Sequence, residues 1–562
     1  MTSQPTIAQQ TGARAHAWAK LAALSAPQVV IIGGGVNGVG TLRDLALNGV
    51  SAVLLETGDF CAGASGASSR MAHGGLRYLE GREFRLVAEA ARERNLLLQD
   101  APHLVKPLEI IVPMAELISG LPLAVLRFLG LSSRPGPLSL AALAGALVLY
   151  ERFGAVRRAL PRFRMALRRQ SFPPGLPQRM RAVVSYFDGQ ILRPEALVME
   201  MLGEACANTS IAAINHVDWH LSGPGMLRVT DPETGNSATL RPQIIVNATG
   251  AAIDRVNERL GLQTRLVRGV KGAHLVLRHP DLLRRMAGRA FYFDDGTGRM
   301  VICLPVGDTV LMGTTEVETT DPADHDVAAQ EVTYLLRALS QLFADIKVGP
   351  QHLVAVTSGI RPLQAGGGSA TQAARDHVLS EHHIAGLLVL SLIGGKWTTF
   401  RSFSEQAADR VLAHLGQSRQ SSTADRPYPG AAPVDASALA RQFDLTMDRA
   451  ASLVARYGAL AGQVAAFCVA ADDAPLASLP SYTRREVFWL ADIRMARTLE
   501  DLVLRRTGLV LSGKLTAAIL QELAEVLAAA LGKDSGWATA QLATATADPR
   551  ILGLATAGGK HG

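Results

Sequence analysis

Between Val29 and Gly38 the chain reads V-V-I-I-G-G-G-V-N-G. Gly33, Gly35 and Gly38 keep the spacing G-x-G-x-x-G between a β-branched run and a helical pattern, the context in which such a loop cradles a dinucleotide. The first glycine permits the tight turn, the second lets backbone approach a pyrophosphate, and the third lets helix and strand pack closely. Gly34 and Asn37 belong to the same loop, and the free N–H groups at the helix start favour phosphate. Glu56, eighteen residues beyond Gly38, stands where a carboxylate accepts hydrogen bonds from ribose hydroxyls and repels a 2′-phosphate, which disfavours NADP. A single fingerprint serves NAD and FAD enzymes alike. Gly366-Gly367-Gly368 lacks a preceding strand and reads as a loop.

Such a loop must be held by a β-α-β unit. Gln28 to Ile32, the helical stretch Asn37 to Leu47 and the apolar run Ser51 to Leu55 supply it. Later runs, Gln243 to Val246, Val301 to Pro305, Val310 to Gly313 and Leu387 to Ile393, read as strands, whereas 81–100 and 398–415 read as helices. These patterns predict an α/β fold: a Rossmann-like dinucleotide domain sharing residues 28–425 with a sheet-based substrate domain. The proline-containing polar stretch Gln417 to Pro433 marks a boundary, and beyond it 426–545 is strand-poor and predicts an all-helical C-terminal domain. Residues 1–27, without acids, are expected to be a flexible leader, and 546–562 a loose tail.

Composition excludes several classes. With 562 residues, 48% hydrophobic, 19% charged and 53 Gly, the chain is too apolar for disorder and too aperiodic for a fibre. Its four cysteines lie far apart with no C-x-x-C pair, so neither a disulfide framework nor a zinc ribbon is expected, and no metal site is assigned. The net charge of +7 is concentrated after two apolar stretches within 110–180. There Arg152, Arg157, Arg158, Arg162, Arg164, Arg168, Arg169, Arg179 and Arg181 follow one another, with Glu151 the only acid before Asp188. An apolar segment beside an arginine stripe suits the headgroup layer of an anionic lipid surface. The segment 110–180 is therefore expected to be a helical membrane-surface insert, and a nucleic-acid partner is not expected.

Further segments carry a resemblance. Ala67-Ser68-Ser69-Arg70-Met71-Ala72-His73-Gly74-Gly75-Leu76-Arg77-Tyr78-Leu79-Glu80 closely resembles the flavin-proximal signature of FAD-dependent glycerol-3-phosphate dehydrogenases of the aerobic type. So do Asn247-Ala248-Thr249-Gly250, Gly313-Thr314-Thr315-Glu316-Val317-Glu318, Ser358-Gly359-Ile360-Arg361-Pro362-Leu363 and Gly394-Gly395-Lys396-Trp397-Thr398-Thr399. Arg494 to Asp501 with Arg505-Arg506-Thr507 resembles that family's helical cap.

The resemblance implies FAD as cofactor and oxidation of sn-glycerol 3-phosphate to dihydroxyacetone phosphate. It implies that electrons pass to membrane quinone, and it places the protein peripherally on the cytoplasmic face of the inner membrane. A homodimer is one assembly it allows. It makes His274, in G-V-K-G-A-H-L, the base, a role that an imidazole titrating near ~6.5 suits. It makes Arg361 and Lys396 catalytic as well as substrate-binding, and Arg77, Tyr78 and Arg375 substrate-binding; cations, best as Arg forks, suit a phosphate. Ser68, Ser69, His73, Gly74, Gly75, Thr249, Gly250, Gly394, Gly395 and Thr398 join the dinucleotide loop in holding the flavin. The chain departs from the family pattern after Asp188, where Arg193-Pro194-Glu195-Ala196 replaces an Asp-Asp-Ala-Arg run. That departure keeps two alternatives open: a longer polyol phosphate such as erythritol phosphate, and an amine or amino-acid substrate of the same flavin superfamily.

Overall fold

The computed structural model describes residues 13–76, 83–118, 140–154, 159–366, 377–384 and 386–551. Val29–Ile32 is buried along its whole length and lies parallel to Ala52–Leu55 on one side and Ile244–Asn247 on the other, with Val29 opposite both Ala52 and Ile244. The sheet runs Val378–Ile384, Leu387–Ile393, Ile244–Asn247, Val29–Ile32, Ala52–Leu55, Ile211–Ile214, all parallel except the antiparallel edge strand Val378–Ile384. A parallel sheet covered on both faces needs strands that are apolar at successive positions rather than alternating. The sequences V-V-I-I, A-V-L-L, I-A-A-I and L-L-V-L-S-L-I meet that need. Helices Val36–Leu47 and Phe400–His414 pack together over one face. Four loops then leave the carboxyl ends of parallel strands side by side: Gly33 after Ile32, Glu56 after Leu55, Ala248 after Asn247 and Gly394 after Ile393. That edge is where open α/β sheets bind ligands.

A second, ten-stranded sheet stands beside it. Its long strand Val267–Leu277 is antiparallel to Leu353–Gln364 and to Thr309–Gly313, with His274 opposite Thr357 and Gly313, and Val270 opposite Arg361. Side chains alternate faces with a period of two, so Val270, Gly272 and His274 share a face with Arg361. The register therefore aims the expected base and a phosphate cation at one side of the sheet.

From Ala436 to Ala547 the chain is helical, and Asp435, Thr446, Thr483, Thr516 and Asp534 each cap a helix by accepting a backbone N–H. This unit docks through buried charge. Asp59, three residues past Glu56, accepts from Arg505 Nε (2.6 Å) and from Arg506 Nη1 (2.8 Å) and Nη2 (2.7 Å). Asp501 in turn takes Arg505 Nη2 (2.7 Å) and His216 Nε2 (2.9 Å). Two guanidinium groups facing two carboxylates satisfy charges that would be costly to bury singly. The departure after Asp188 serves the same junctions: Glu195 pairs with Arg70 (2.5 Å), and Arg193 donates to the Arg506 (2.6 Å) and Arg456 (3.2 Å) carbonyls.

Three boundaries differ from the sequence expectation. Ala13–Ala23, assigned to the flexible leader, is a helix whose Arg14 pairs with buried Asp231 (3.1 Å) and whose Trp18 Nε1 donates to the same carboxylate (3.1 Å). A buried partner 217 positions away leaves no local sign. The supposed helical insert begins inside a core strand, Val105–Met114, paired residue for residue with Ala182–Ile191. A short apolar run reads equally as buried strand or helix. Leu140–Phe153 is a helix, whereas 119–139 and 155–158, with Arg157 and Arg158, lie outside the described residues. The supposed tail is held as far as Ile551, which is buried, while Pro549 accepts from Val356 N (3.2 Å); 552–562 lie outside the described residues.

Candidate functional site

The four loop ends and the inner face of the second sheet enclose a cavity of about 850 Å³. On its nucleotide side Gly33 has φ +110°, a conformation that favours glycine. A Cβ at Gly38 would overlap the Gly33 carbonyl, so helix and turn approach as closely as the fingerprint requires. Asn37 donates from Nδ2 to the Gly394 carbonyl (3.1 Å), while its buried Oδ1 has no partner. An orphaned acceptor facing a cavity is the kind of group a bound ligand satisfies. Glu56 spreads its carboxylate over two backbone donors, Gly34 N (2.6 Å) and Gly58 N (2.7 Å). Burial raises its pKa, and the two N–H groups oppose that rise.

These features fit the ribose and pyrophosphate of FAD. Glu56→Ala is accordingly expected to weaken FAD binding by about ten- to a hundredfold, the range for losing a hydrogen bond to a charged group. Titration of the apoprotein with FAD, followed by flavin fluorescence, measures it; unchanged affinity removes Glu56 from the ribose site.

On the opposite side, His274 is 2% exposed and its Nε2 meets Ser69 Oγ at 2.7 Å. A Cβ at Gly313 would collide with the imidazole, and one at Gly272 with the Arg361 guanidinium. Both glycines therefore make room for the site rather than for turns. Burial first, then the charges of Arg361 and Arg70, pull the His274 pKa down to about 3, so the ring is neutral at physiological pH and able to accept a proton. Arg361 Nη2 donates to Thr314 Oγ1 (2.5 Å), and its Nη1 lies 4.0 Å from Glu316 Oε1. Arg299 donates to the Thr314 carbonyl (2.7 Å) and comes within 3.9 Å of the other Glu316 oxygen.

Gly33, Gly35, Asn37, Glu56, Ser68, Ser69, His73, Gly75, Thr249, Gly250, His274, Arg361, Gly394, Gly395, Lys396 and Thr398 all line this one cavity. Gly34, Gly38 and Gly74 stand behind its wall, engaged with Glu56, Gly33 and Tyr150. Arg77, Tyr78 and Arg375 lie outside the described residues. Ser69, expected to hold cofactor, meets the imidazole. Arg299, Glu316 and Tyr292 line the cavity without having been singled out. Glu316 was within reach, since it stands in the quoted G-T-T-E run. Arg299 gave no local signal, because the antiparallel pairing of Met300–Val306 with Thr309–Gly313 is what brings it to Thr314.

The chain is similar to known FAD-dependent proteins. The FAD dependent oxidoreductase family matches residues 28–401, and the C-terminal domain of alpha-glycerophosphate oxidase matches 421–538. The chain is 30% identical over 517 residues to a glycerol-3-phosphate dehydrogenase of Synechocystis, covering 87% of this chain and 89% of that protein. It is 31% identical over 498 residues to the D-erythritol 1-phosphate dehydrogenase of Brucella abortus, covering 85% and 93%. The solved glycerol-3-phosphate dehydrogenase of Bacillus halodurans, complexed with FAD, superposes with a TM-score of 0.71 at 19% identity over 96% of this chain and 98% of that one. The chain is thus a member of the FAD-dependent glycerol-3-phosphate dehydrogenase family, with an α/β flavin-binding fold, a helical C-terminal domain and FAD as its cofactor.

Proposed function

We propose that this protein oxidises sn-glycerol 3-phosphate to dihydroxyacetone phosphate, passing the electrons to membrane quinone. What supports the reading is a neutral, buried His274, oriented by Ser69, in a cavity also lined by Arg361 and Lys396. FAD, when bound, supplies the hydride acceptor. The protein's own part is to remove a proton and hold a dianion. His274 takes the proton of the secondary hydroxyl; Ser69 fixes the ring and can pass that proton on. Arg361 offers a planar fork to phosphate, and Glu316, near both Arg299 and Arg361, compensates their charge until substrate arrives. Bound phosphate offsets the positive field on His274, so the imidazole becomes more basic when the alcohol is in place.

Anaerobic addition of glycerol 3-phosphate should bleach the oxidised flavin band, whereas amino acids should leave it unchanged. Bleaching by amino acids alone overturns the assignment. Erythritol phosphate is the second reading, because identity to the Brucella relative, 31%, is as high as the 30% to the Synechocystis one. A faster bleach with erythritol phosphate selects it.

The lipid surface belongs to the same proposal. Ile118, Val148, Leu149, Met165 and Leu167 are exposed, at 66%, 58%, 37%, 51% and 63%, and Arg162, Arg164, Arg168, Arg169, Arg179 and Arg181 are exposed in the same stretch of chain. Exposed apolar side chains in a stretch of chain rich in exposed guanidinium groups suit an anionic bilayer surface. Val148→Asp with Leu167→Asp is expected to lower co-sedimentation with phosphatidylglycerol vesicles at least tenfold while leaving FAD bound, at ~1 to 2 kcal/mol for each apolar side chain kept out of the bilayer. Undiminished co-sedimentation rejects this face.

A further inference from the structure

His73 and Gly74 are joined by a peptide whose two polar ends are both held by side chains. The His73 carbonyl accepts from Thr398 Oγ1 (3.0 Å), and Thr398 Oγ1 also accepts from His73 N (3.0 Å). The Gly74 N–H donates to the Tyr150 hydroxyl (2.8 Å) and, more weakly, toward Asp188 Oδ1 (3.3 Å). Tyr150 belongs to Leu140–Phe153, a helix remote in sequence from the flavin signature. Its hydroxyl donates to Asp188 Oδ1 (2.5 Å) and accepts from Arg94 Nη1 (2.7 Å), which also reaches Asp188 Oδ1 at 2.8 Å. All three side chains are buried, at 3%, 2% and 4% exposure. Burial raises the Tyr150 pKa, so the phenol keeps its proton. A Cβ at Gly74 would strike the hydroxyl, which accounts for glycine at that position.

The two hydrogen-bonded segments both line the cavity, His73 and Gly75 from one and Gly395, Lys396 and Thr398 from the other. We propose that Tyr150 is a positioning residue for the flavin: by holding the Gly74 N–H while Thr398 holds the His73 carbonyl, it sets the plane of that peptide and seats the segment against Thr398. A trans peptide points its carbonyl and N–H in opposite directions, so tension at one end is resisted at the other. Loss of either anchor lets the plane rotate, and the loop then presents different atoms to the ring.

Tyr150→Phe keeps the ring and its edge-to-face contact with Tyr186 while deleting the hydroxyl. In the full-length holoprotein it should speed FAD release about three- to tenfold, the range for one hydrogen bond, and should alter the visible circular dichroism of the bound flavin. Thr398→Val should do the same. Because both anchors act on one peptide, the double variant should release FAD about as fast as the faster-releasing single variant, well short of the product of the two effects. Thermal melting of the apoprotein separates this from a purely structural role. Unchanged FAD release and dichroism in Tyr150→Phe, with or without a lower melting temperature, overturn the proposal. So do effects of the two substitutions that simply multiply.

Discussion

Replacing His274 with asparagine is expected to lower kcat for glycerol 3-phosphate by about 10²- to 10⁴-fold, the range supplied by a positioned general base, with FAD still bound. Asparagine keeps a compact polar side chain but stops short of Ser69 Oγ, which meets Nε2, and cannot take up a proton. The cofactor cradle on the far wall, from Gly33 to Glu56, does not depend on it. Steady-state rates beside flavin content measure the outcome, and a kcat within threefold of the parent removes His274 as the base.

The same substitution has a pH signature. The folded-state pKa of His274 is depressed to about 3 from 6.5, so between those values the unfolded chain binds a proton that the folded chain refuses. Stability from this group is fully present above pH 6.5 and is lost as the pH falls toward 3. Melting temperatures of parent and His274→Asn should therefore converge on acidification across that window. A gap that widens instead shows that His274 is protonated in the folded protein.

Arg361→Ala is expected to lower kcat/KM by about 30- to 5,000-fold, corresponding to the ~2 to 5 kcal/mol lost when one partner of a hydrogen-bonded charge pair is truncated. Arg361 binds Thr314 and stands near Glu316, so its removal leaves a carboxylate facing an incoming dianion. Arg361→Lys should recover only part of the loss, because an ammonium cannot reproduce the planar fork. Removing Glu316 as well should restore some affinity by abolishing the repulsion. Rates measured over a range of substrate concentrations test this, and an unchanged kcat/KM places the phosphate elsewhere in the cavity.

Much of the scaffold was legible because it is local. V-V-I-I-G-G-G-V-N-G predicts strand, turn and helix, and the structure has Val29–Ile32 followed by Val36–Leu47. The runs at Ala52, Ile244 and Leu387 were legible as strands for the same reason. Continuous apolar side chains suit a sheet covered on both faces. Residues near 110 misled because that criterion does not separate a buried strand from a buried helix, and Val105–Met114 satisfies both. Arg14 misled in another way: a lone arginine near the N-terminus looks solvated until Asp231 is placed beside it.

The sequence by itself determined a dinucleotide-binding α/β fold and the sheet edge that carries the glycine loop, because glycine spacing and strand composition act through neighbours a few residues apart; FAD came from the family motifs. Family motifs extended this to His274, Arg361 and Lys396 as candidates. Only the tertiary structure decided that Ser69 meets His274 across 205 positions, that Arg299 and Arg361 flank Glu316, and that Tyr150 reaches Gly74 across 76. Those meetings follow from strand register and helix docking, which are set by how the whole core packs and leave no periodic trace around any one residue.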